Sequence, residues 1–488
     1  MSEIAQLMLP AIRWDRDNGF SNANAEIEKA LKAGVGGFIF FGGPAGEVRS
    51  LVAHIVRKSD IPLLIGADLE RGAGQQFAGA TGLPPLAAIG SLDNEDDTRR
   101  AARITAIEAQ QLGINWVYGP DCDLDIEPDN PIIGTRSFGS DPASVARHAV
   151  AWIDSCQTQG VLACAKHFPG HGRTTRDSHA ELPSVDVSRE QMDRTDLVPF
   201  KAAIEAGVAS VMSAHVAFPA LDPSGAPGTL SHAMLTDLLR KEFGFQGLVV
   251  TDALIMEGVL GQGGEAGAVV RAIDAGCDIL LYPQDIGAAE HAIAAAIADG
   301  KLDVQKVSLS LERRHEWASW ARKPGPDSSL ESDKRWADGV AERVVHSISG
   351  TFPAISRVVD IVVIDDDIGG PYPPPSRDPF LEQLKASGYD ARIGENPDAN
   401  ETLIALYGDI RAWKGRPGYS DRSKAALTAA AERAKTRGHT VSVIQFSHPR
   451  LAGQIPVDAP ILCAWGGEEP TQRAAARVLA RGEAVSQS

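Results

Sequence analysis

The 488-residue sequence is poor in cysteine, has no long apolar run and carries fewer basic than acidic residues. Its five cysteines, Cys122, Cys156, Cys164, Cys277 and Cys463, are odd in number and contain no Cys-x-x-Cys. That argues against a disulfide framework or a zinc ribbon and leaves buried, reduced thiols. No apolar run approaches the roughly 18 residues of a membrane-crossing helix. The start, Met1-Ser2-Glu3-Ile4-Ala5-Gln6, lacks the basic stretch and apolar stretch of an export signal, so the expected compartment is the cytoplasm. Lys+Arg number 47 against 64 Asp+Glu, a net charge of −17. An acidic surface repels nucleic acid and anionic membrane alike, and the expected partner is a small molecule, with no nucleic acid and no membrane.

What is present is an ordinary globular composition, 43% hydrophobic and 23% charged, with short apolar runs alternating with amphipathic stretches. Strands are expected at 7–12, 35–41, 62–68, 115–121, 161–167, 209–216, 247–254 and 278–283, with helical patterns such as 98–112, 142–157 and 190–206 between them. Three of the helical patterns end alike, in Lys32-Ala33-Gly34, Glu205-Ala206-Gly207 and Asp274-Ala275-Gly276, where glycine accepts the left-handed cap that other residues resist. Strand–helix alternation implies a parallel sheet. Eight such units in about 300 residues match a (β/α)8 barrel. No Gly-x-Gly-x-x-Gly follows the first strand, as an open dinucleotide-binding sheet would have it.

A further helix is expected at 301–322, then a Pro/Gly/Ser linker at 323–329. Strands at 358–364, 403–407, 440–446 and 460–465 and helices at 379–386, 422–435 and 469–480 form a smaller doubly wound α/β domain, with a Pro/Gly-rich stretch, 369–375, after its first strand. The expected division is 1–322 for a catalytic barrel with its trailing helix, 323–349 for linker and helix, and 350–488 for the C-terminal α/β domain.

Barrel chemistry gathers at the C-terminal ends of the strands. Those ends carry Asp68 and Glu70, Asp121, Asp123 and Asp125, Lys166-His167, His215, and Thr251-Asp252. The segment leaving the fifth strand, Lys166-His167-Phe168-Pro169-Gly170-His171-Gly172 and on to Asp177-Ser178-His179, holds three histidines beyond its lysine. Such a set serves either a metal or an Asp–His pair for proton transfer, and an ordinary imidazole titrates near about 6.5, suited to acid–base work.

This segment resembles the signature of glycoside hydrolase family 3, in its β-N-acetylglucosaminidase branch. Further pieces resemble the family in order: Gly66-Ala67-Asp68 with Glu70, the run Asn130 to Phe138, Ser210 to His215, and Val249 to Gly258. The resemblance covers about residues 3–300 and is looser beyond, where Trp465-Gly466-Gly467 and Gln472 to Ala476 are similar to the tail of the family's α/β sandwich. It implies a retaining exo-β-N-acetylglucosaminidase acting on peptidoglycan- or chitin-derived fragments, with no metal and no cofactor. Asp252 is then the nucleophile, His179 the acid/base and Asp177 its partner. Asp68, Arg136, Lys166 and His167 bind the sugar, and His215 positions substrate or nucleophile. Two departures bear on the aglycone: Glu70 is followed by Arg71-Gly72-Ala73 instead of Gly-Gly-Arg, and Gln76 stands where cell-wall-recycling members carry another Arg. Alternatives stay open: a β-glucosidase, β-xylosidase or phosphorylase of the same family, a metal-dependent barrel hydrolase using Asp68, His167, His215 and Asp252, or a non-catalytic sugar-binding protein.

Overall fold

The computed structural model describes residues 3–261, 264–321, 330–367, 375–411 and 414–487. The chain divides into two compact units, residues 1–81, 94–126 and 137–328 forming one and residues 82–93, 127–136 and 329–488 the other.

The first unit is a closed parallel barrel. Strands β1 (Met8–Leu9), β2 (Ala11–Arg13), β3 (Gly37–Phe41), β4 (Leu64–Ala67), β5 (Trp116–Val117), β6 (Cys164–Phe168), β7 (Ser210–Ser213), β8 (Leu248–Thr251) and β9 (Leu280–Leu281) follow one another around it. Sheets β2-β3-β4-β5 and β6-β7-β8 meet through the parallel bridges Trp116↔Leu162 and Asp121↔Lys166. The bridge Val250↔Ile279 and the pairing of β9 with β1 close the ring. The first expected strand is split at Pro10, which has no N–H to donate. Met8–Leu9 pairs with Leu280–Leu281, while Ala11–Arg13 pairs with Ile39–Phe41. The fourth shrinks to two residues for the same reason: Gly119-Pro120 interrupts the ladder, which resumes at Asp121. Leu9, Ile39, Leu64, Trp116, Leu162, Cys164, Met212, Leu248, Val250 and Ile279 fill the interior.

Local chemistry sets the helix ends. Asn94 accepts from the Asp96 amide at 3.0 Å and starts Glu95–Leu112, and Asp141 does the same for Pro142–Thr158 through Ser144 at 2.7 Å. Gly34, Gly207 and Gly276 all have positive φ, at 81°, 77° and 122°. The helix expected over 190–206 is two, Arg189–Arg194 and Val198–Glu205, because Thr195 leaves helical geometry (φ −130°, ψ −91°) ahead of Pro199. The trailing helix is Val304–Trp320. The expected linker 323–329 lies outside the described residues, and the stretch after it contains the helix Leu330–Arg343.

The second unit is a six-stranded sheet: β10 (His346–Ser347), β11 (Val358–Asp365), β12 (Asp390–Ile393), β13 (Glu401–Tyr407), β14 (Thr440–Phe446) and β15 (Ile461–Cys463), in the order β10-β15-β14-β13-β11-β12. All neighbours are parallel except the β10–β15 pair. The two strands missing from the sequence expectation, β10 and β12, are the edges, too short or too polar to show an apolar run. Both faces are covered: Leu403, Ala405 and Tyr407 pack with Phe380 and Leu479, while Ile404 and Leu406 pack with Leu427 and Ala431. The Pro/Gly-rich stretch after β11 lies outside the described residues at 368–374. Two segments from the middle of the barrel sequence belong to this unit. Ala87 and Ala88 of the helix Leu86–Gly90 pack with Val344, Cys463 and Trp465, and Thr135 bonds to Asp409. Among the described residues, no helix is long and apolar enough to cross a membrane.

Candidate active site

The barrel's C-terminal rim is built by the residues that follow the strands. Asp68 follows β4, and Lys166 lies on β6. Lys166 is almost fully buried, with Nζ 2.9 Å from Asp68 Oδ1 and 2.6 Å from Glu70 Oε1. Two carboxylates of the neighbouring turn thus hold its ammonium. Glu70 is buried, whereas Asp68 is 30% exposed, which makes Asp68 the carboxylate of the pair that meets solvent.

Asp123 is the hub beside them. Its Oδ2 accepts from both the amide (3.1 Å) and ring Nδ1 (2.8 Å) of His167, and its Oδ1 accepts from the His171 amide at 2.5 Å. A carboxylate only accepts, so the His167 proton sits on Nδ1. Asp121 in turn accepts from the Asp123 amide at 2.9 Å. Asp121, Asp123 and His167 bring potential ligand atoms within 4.8 Å of one another. As arranged, however, the Asp123 oxygens already hold N–H donors, which is the pattern of an orienting carboxylate–histidine pair. The Lys166–His167 and Phe168–Pro169 peptides are cis.

Beyond β6 the chain forms the loop that carries the Asp–His pair. Asp177 Oδ1 accepts from the His179 amide at 2.9 Å and from its ring Nδ1 at 2.7 Å. Asp177 is buried and His179 about a quarter exposed, 23% at the side chain, so the imidazole is the part that meets solvent. The His171 ring bridges the loop, Nε2 to Ser178 Oγ at 2.9 Å and Nδ1 to Thr174 Oγ1 at 2.8 Å.

Asp252 follows β8 and accepts from the next amide, Ala253, at 2.7 Å. Burial works to raise its pKa. The neighbouring imidazoles of His167, His215 and His179, with the Ala253 amide, outweigh burial and hold the carboxyl at about 2. His215 is fully buried, and burial pushes its pKa below the usual imidazole value despite the Asp252 carboxylate. The neutral ring has a defined tautomer. Nε2 faces the Ala253 carbonyl at 3.2 Å and so carries the proton, and Nδ1 accepts from the Thr229 hydroxyl at 2.7 Å.

Seven of the residues singled out in the sequence, Asp68, Lys166, His167, Asp177, His179, His215 and Asp252, therefore lie in the first unit, while Arg136 ends the turn Gly134–Arg136 in the second. Thr229 escaped sequence reasoning, since nothing local ties it to His215, 14 residues away. Glu70 and Asp123 stood among the strand-end acids, but their partners emerge only from packing.

Residues 1–315 match the glycosyl hydrolase family 3 N-terminal domain. The chain belongs to glycosyl hydrolase family 3. A β-N-acetylglucosaminidase/β-glucosidase of Cellulomonas fimi is 37% identical over 288 residues, covering 57% of this chain and 51% of that protein. The chain thus spans about half the length of that relative. A β-hexosaminidase of Thiobacillus denitrificans is 36% identical over 281 residues, covering 55% of this chain and 76% of that one. Among solved structures, a family 3 β-N-acetylglucosaminidase from Paenibacillus sp. str. FPU-7 superposes with a TM-score of 0.85 at 27% identity, over 100% of this chain and 97% of that one. A β-glucoside phosphorylase, BglX, shares the fold at a TM-score of 0.82 and 22% identity, over 99% of this chain and 91% of that one. These family 3 neighbours carry the barrel and α/β sandwich architecture seen here.

Proposed function

We propose that this family 3 chain is a retaining exo-β-N-acetylglucosaminidase that releases terminal N-acetylglucosamine from β-linked glycosides. The observation that carries the reading is the ionised Asp252 among three histidines, one of them held by Asp177 on the loop beside it. In the first step an Asp252 oxygen bonds to the anomeric carbon as the bond to the leaving oxygen breaks. His179, protonated on both nitrogens, gives the Nε2 proton to that oxygen, and Asp177 balances the charge through Nδ1–H. In the second step water attacks the anomeric carbon, its proton returns to His179, and the ester to Asp252 breaks to regenerate the carboxylate. Asp68, Lys166 and His167 bind the sugar's hydroxyls. His215, neutral and fixed through Ala253, sets the backbone that carries Asp252. The barrel unit, residues 1–81, 94–126 and 137–328, carries the reaction, and the α/β unit takes 82–93 and 127–136 as well as the residues from 329 on.

The substrates are peptidoglycan- or chitin-derived fragments, and the setting is cytoplasmic turnover of cell-wall sugars. Five cysteines, all buried and none in a disulfide, support a reducing compartment. The names carried by the Cellulomonas, Thiobacillus and Paenibacillus proteins support the acetamido sugar.

The test is release of 4-nitrophenol from its β-N-acetylglucosaminide and its β-glucoside by wild type and Asp252→Ala, with and without EDTA and inorganic phosphate. Preference for the acetamido sugar, indifference to EDTA and collapse in Asp252→Ala support the reading. Activity on the glucoside alone moves the protein to the β-glucosidase reading, and loss with EDTA to the metal-dependent one. A sugar 1-phosphate as product makes it a phosphorylase.

A further inference from the structure

The loop bearing Asp177 and His179 is held at both ends, and the second hold lies on the segment that follows the nucleophile. At its start, the His171 amide binds Asp123, and the His171 ring ties Thr174 to Ser178, the residue between the dyad partners. At its far side, the Ser178 carbonyl accepts from the Gly258 amide at 3.2 Å and the His179 carbonyl from the Glu257 amide at 3.5 Å. Gly258 is buried and opens no positive-φ turn, so its backbone does not demand glycine. Space does. A Cβ at this position would lie 2.9 Å from Ser178 O, 3.2 Å from Glu181 O and 3.2 Å from His215 Cβ. Two of those three contacts are loop backbone, and the third is the histidine that braces the turn next to Asp252.

We infer that Gly258 is the seat, and His171 the tether, that set the proton donor's position against the nucleophile. Both are positioning residues, and the inference rests on the acid/base role proposed for His179. The loop reaches its working position only where its carbonyls can approach a residue without a side chain. A methyl at 258 lifts Ser178 and His179 together. The donor then leaves the line to the leaving oxygen, while Asp252 is touched only indirectly, through His215. A misplacement of about 1 Å costs on the order of 100-fold in rate.

The loss should depend on the leaving group, because a good leaving group departs without a proton. The experiment compares kcat/KM of wild type, Gly258→Ala and Ser178→Ala on the β-N-acetylglucosaminides of 2,4-dinitrophenol and phenol. It is paired with trypsin cleavage after Arg176, which is exposed on the loop. For Gly258→Ala we expect a fall of about 100-fold on the phenyl glycoside with little change on the dinitrophenyl glycoside, and faster cleavage at Arg176. Ser178→Ala, which removes the His171 partner, should move the same way by about 10-fold. It carries the test should Gly258→Ala not fold. Equal loss on both glycosides, or an unchanged ratio with cleavage at Arg176 as in wild type, overturns the inference. A wild type inert on both glycosides refutes the proposed function instead, and cleavage at Arg176 still reads the seat without substrate.

Discussion

Asp123 binds His167 twice through one oxygen, accepting its amide and its ring nitrogen at 3.1 and 2.8 Å, and so fixes both where that histidine lies and which nitrogen carries its proton. Asp123→Asn turns an NH2 group either onto both His167 donors or onto the His171 amide, which bonds to the other oxygen. Hydrogen bonds to a charged group contribute about 1.5–3 kcal/mol each, so this variant should unfold several degrees below wild type by calorimetry. Its kcat/KM should fall even where it remains folded, because His167 loses its orientation. An unchanged melting temperature counts against the hub role.

Asp252→Ala should lower kcat by about 10^4-fold or more, as expected for removal of a nucleophile, with the fold intact by circular dichroism. A slow-turnover fluorinated N-acetylglucosaminide should label wild type, and peptide mass spectrometry should place the label on the peptide containing Asp252. A label on any other carboxylate removes Asp252 from its role.

The buried His215 makes stability depend on pH. Its folded pKa lies below the ordinary value, so between the two the unfolded chain binds the extra proton. Its contribution is full above about pH 6.5 and is lost as pH falls through the folded pKa, with a slope of at most about 1.4 kcal/mol per pH unit. Denaturant melts from pH 7.5 to 5 should show wild type weakening more steeply than His215→Gln. Parallel curves would contradict the burial argument.

Lys166 is buried against the equally buried Glu70. Lys166→Met leaves that carboxylate without its ammonium, and breaking a buried pair costs about 3–5 kcal/mol. The double variant Lys166→Met/Glu70→Gln removes both charges and should be more stable than Lys166→Met alone, a coupling that a double-mutant cycle measures. Additive losses would show that the two side chains do not act as a pair.

The strands of the barrel were legible because each core-facing run, such as 35–41 or 247–250, is apolar along its length, as a strand covered on both faces must be. Pro10, Pro120 and Pro199 moved the boundaries, since a residue without an N–H interrupts a ladder or a helix whatever the apolar pattern around it. The edge strands β10 and β12 carry little apolar signal of their own. In the site, Asp177 and His179 were legible as a pair because they bond across two residues of one loop. Lys166 was legible as charged and strand-borne, but its true partners were not, since Asp68 stands 98 positions away. Thr229 has no mark at all in the sequence, and Gly258 only closes the family-like run from Val249, with nothing to say that space is what it supplies. Their importance lies in what approaches them.

The second unit's claim on residues 82–93 and 127–136 has a consequence for how the protein is made. Asn130 bonds to Arg450 and Thr135 to Asp409, across 320 and 274 positions. On the ribosome these segments emerge long before the strands they join, and contacts so far apart along the chain close slowly. The C-terminal unit therefore matures last, completing its core with pieces synthesised among the first. A chain released early at residue 322 would carry Ala87, Ala88 and Leu92 without the Val344, Cys463 and Trp465 they pack against, a target for chaperone or protease before any sugar is met.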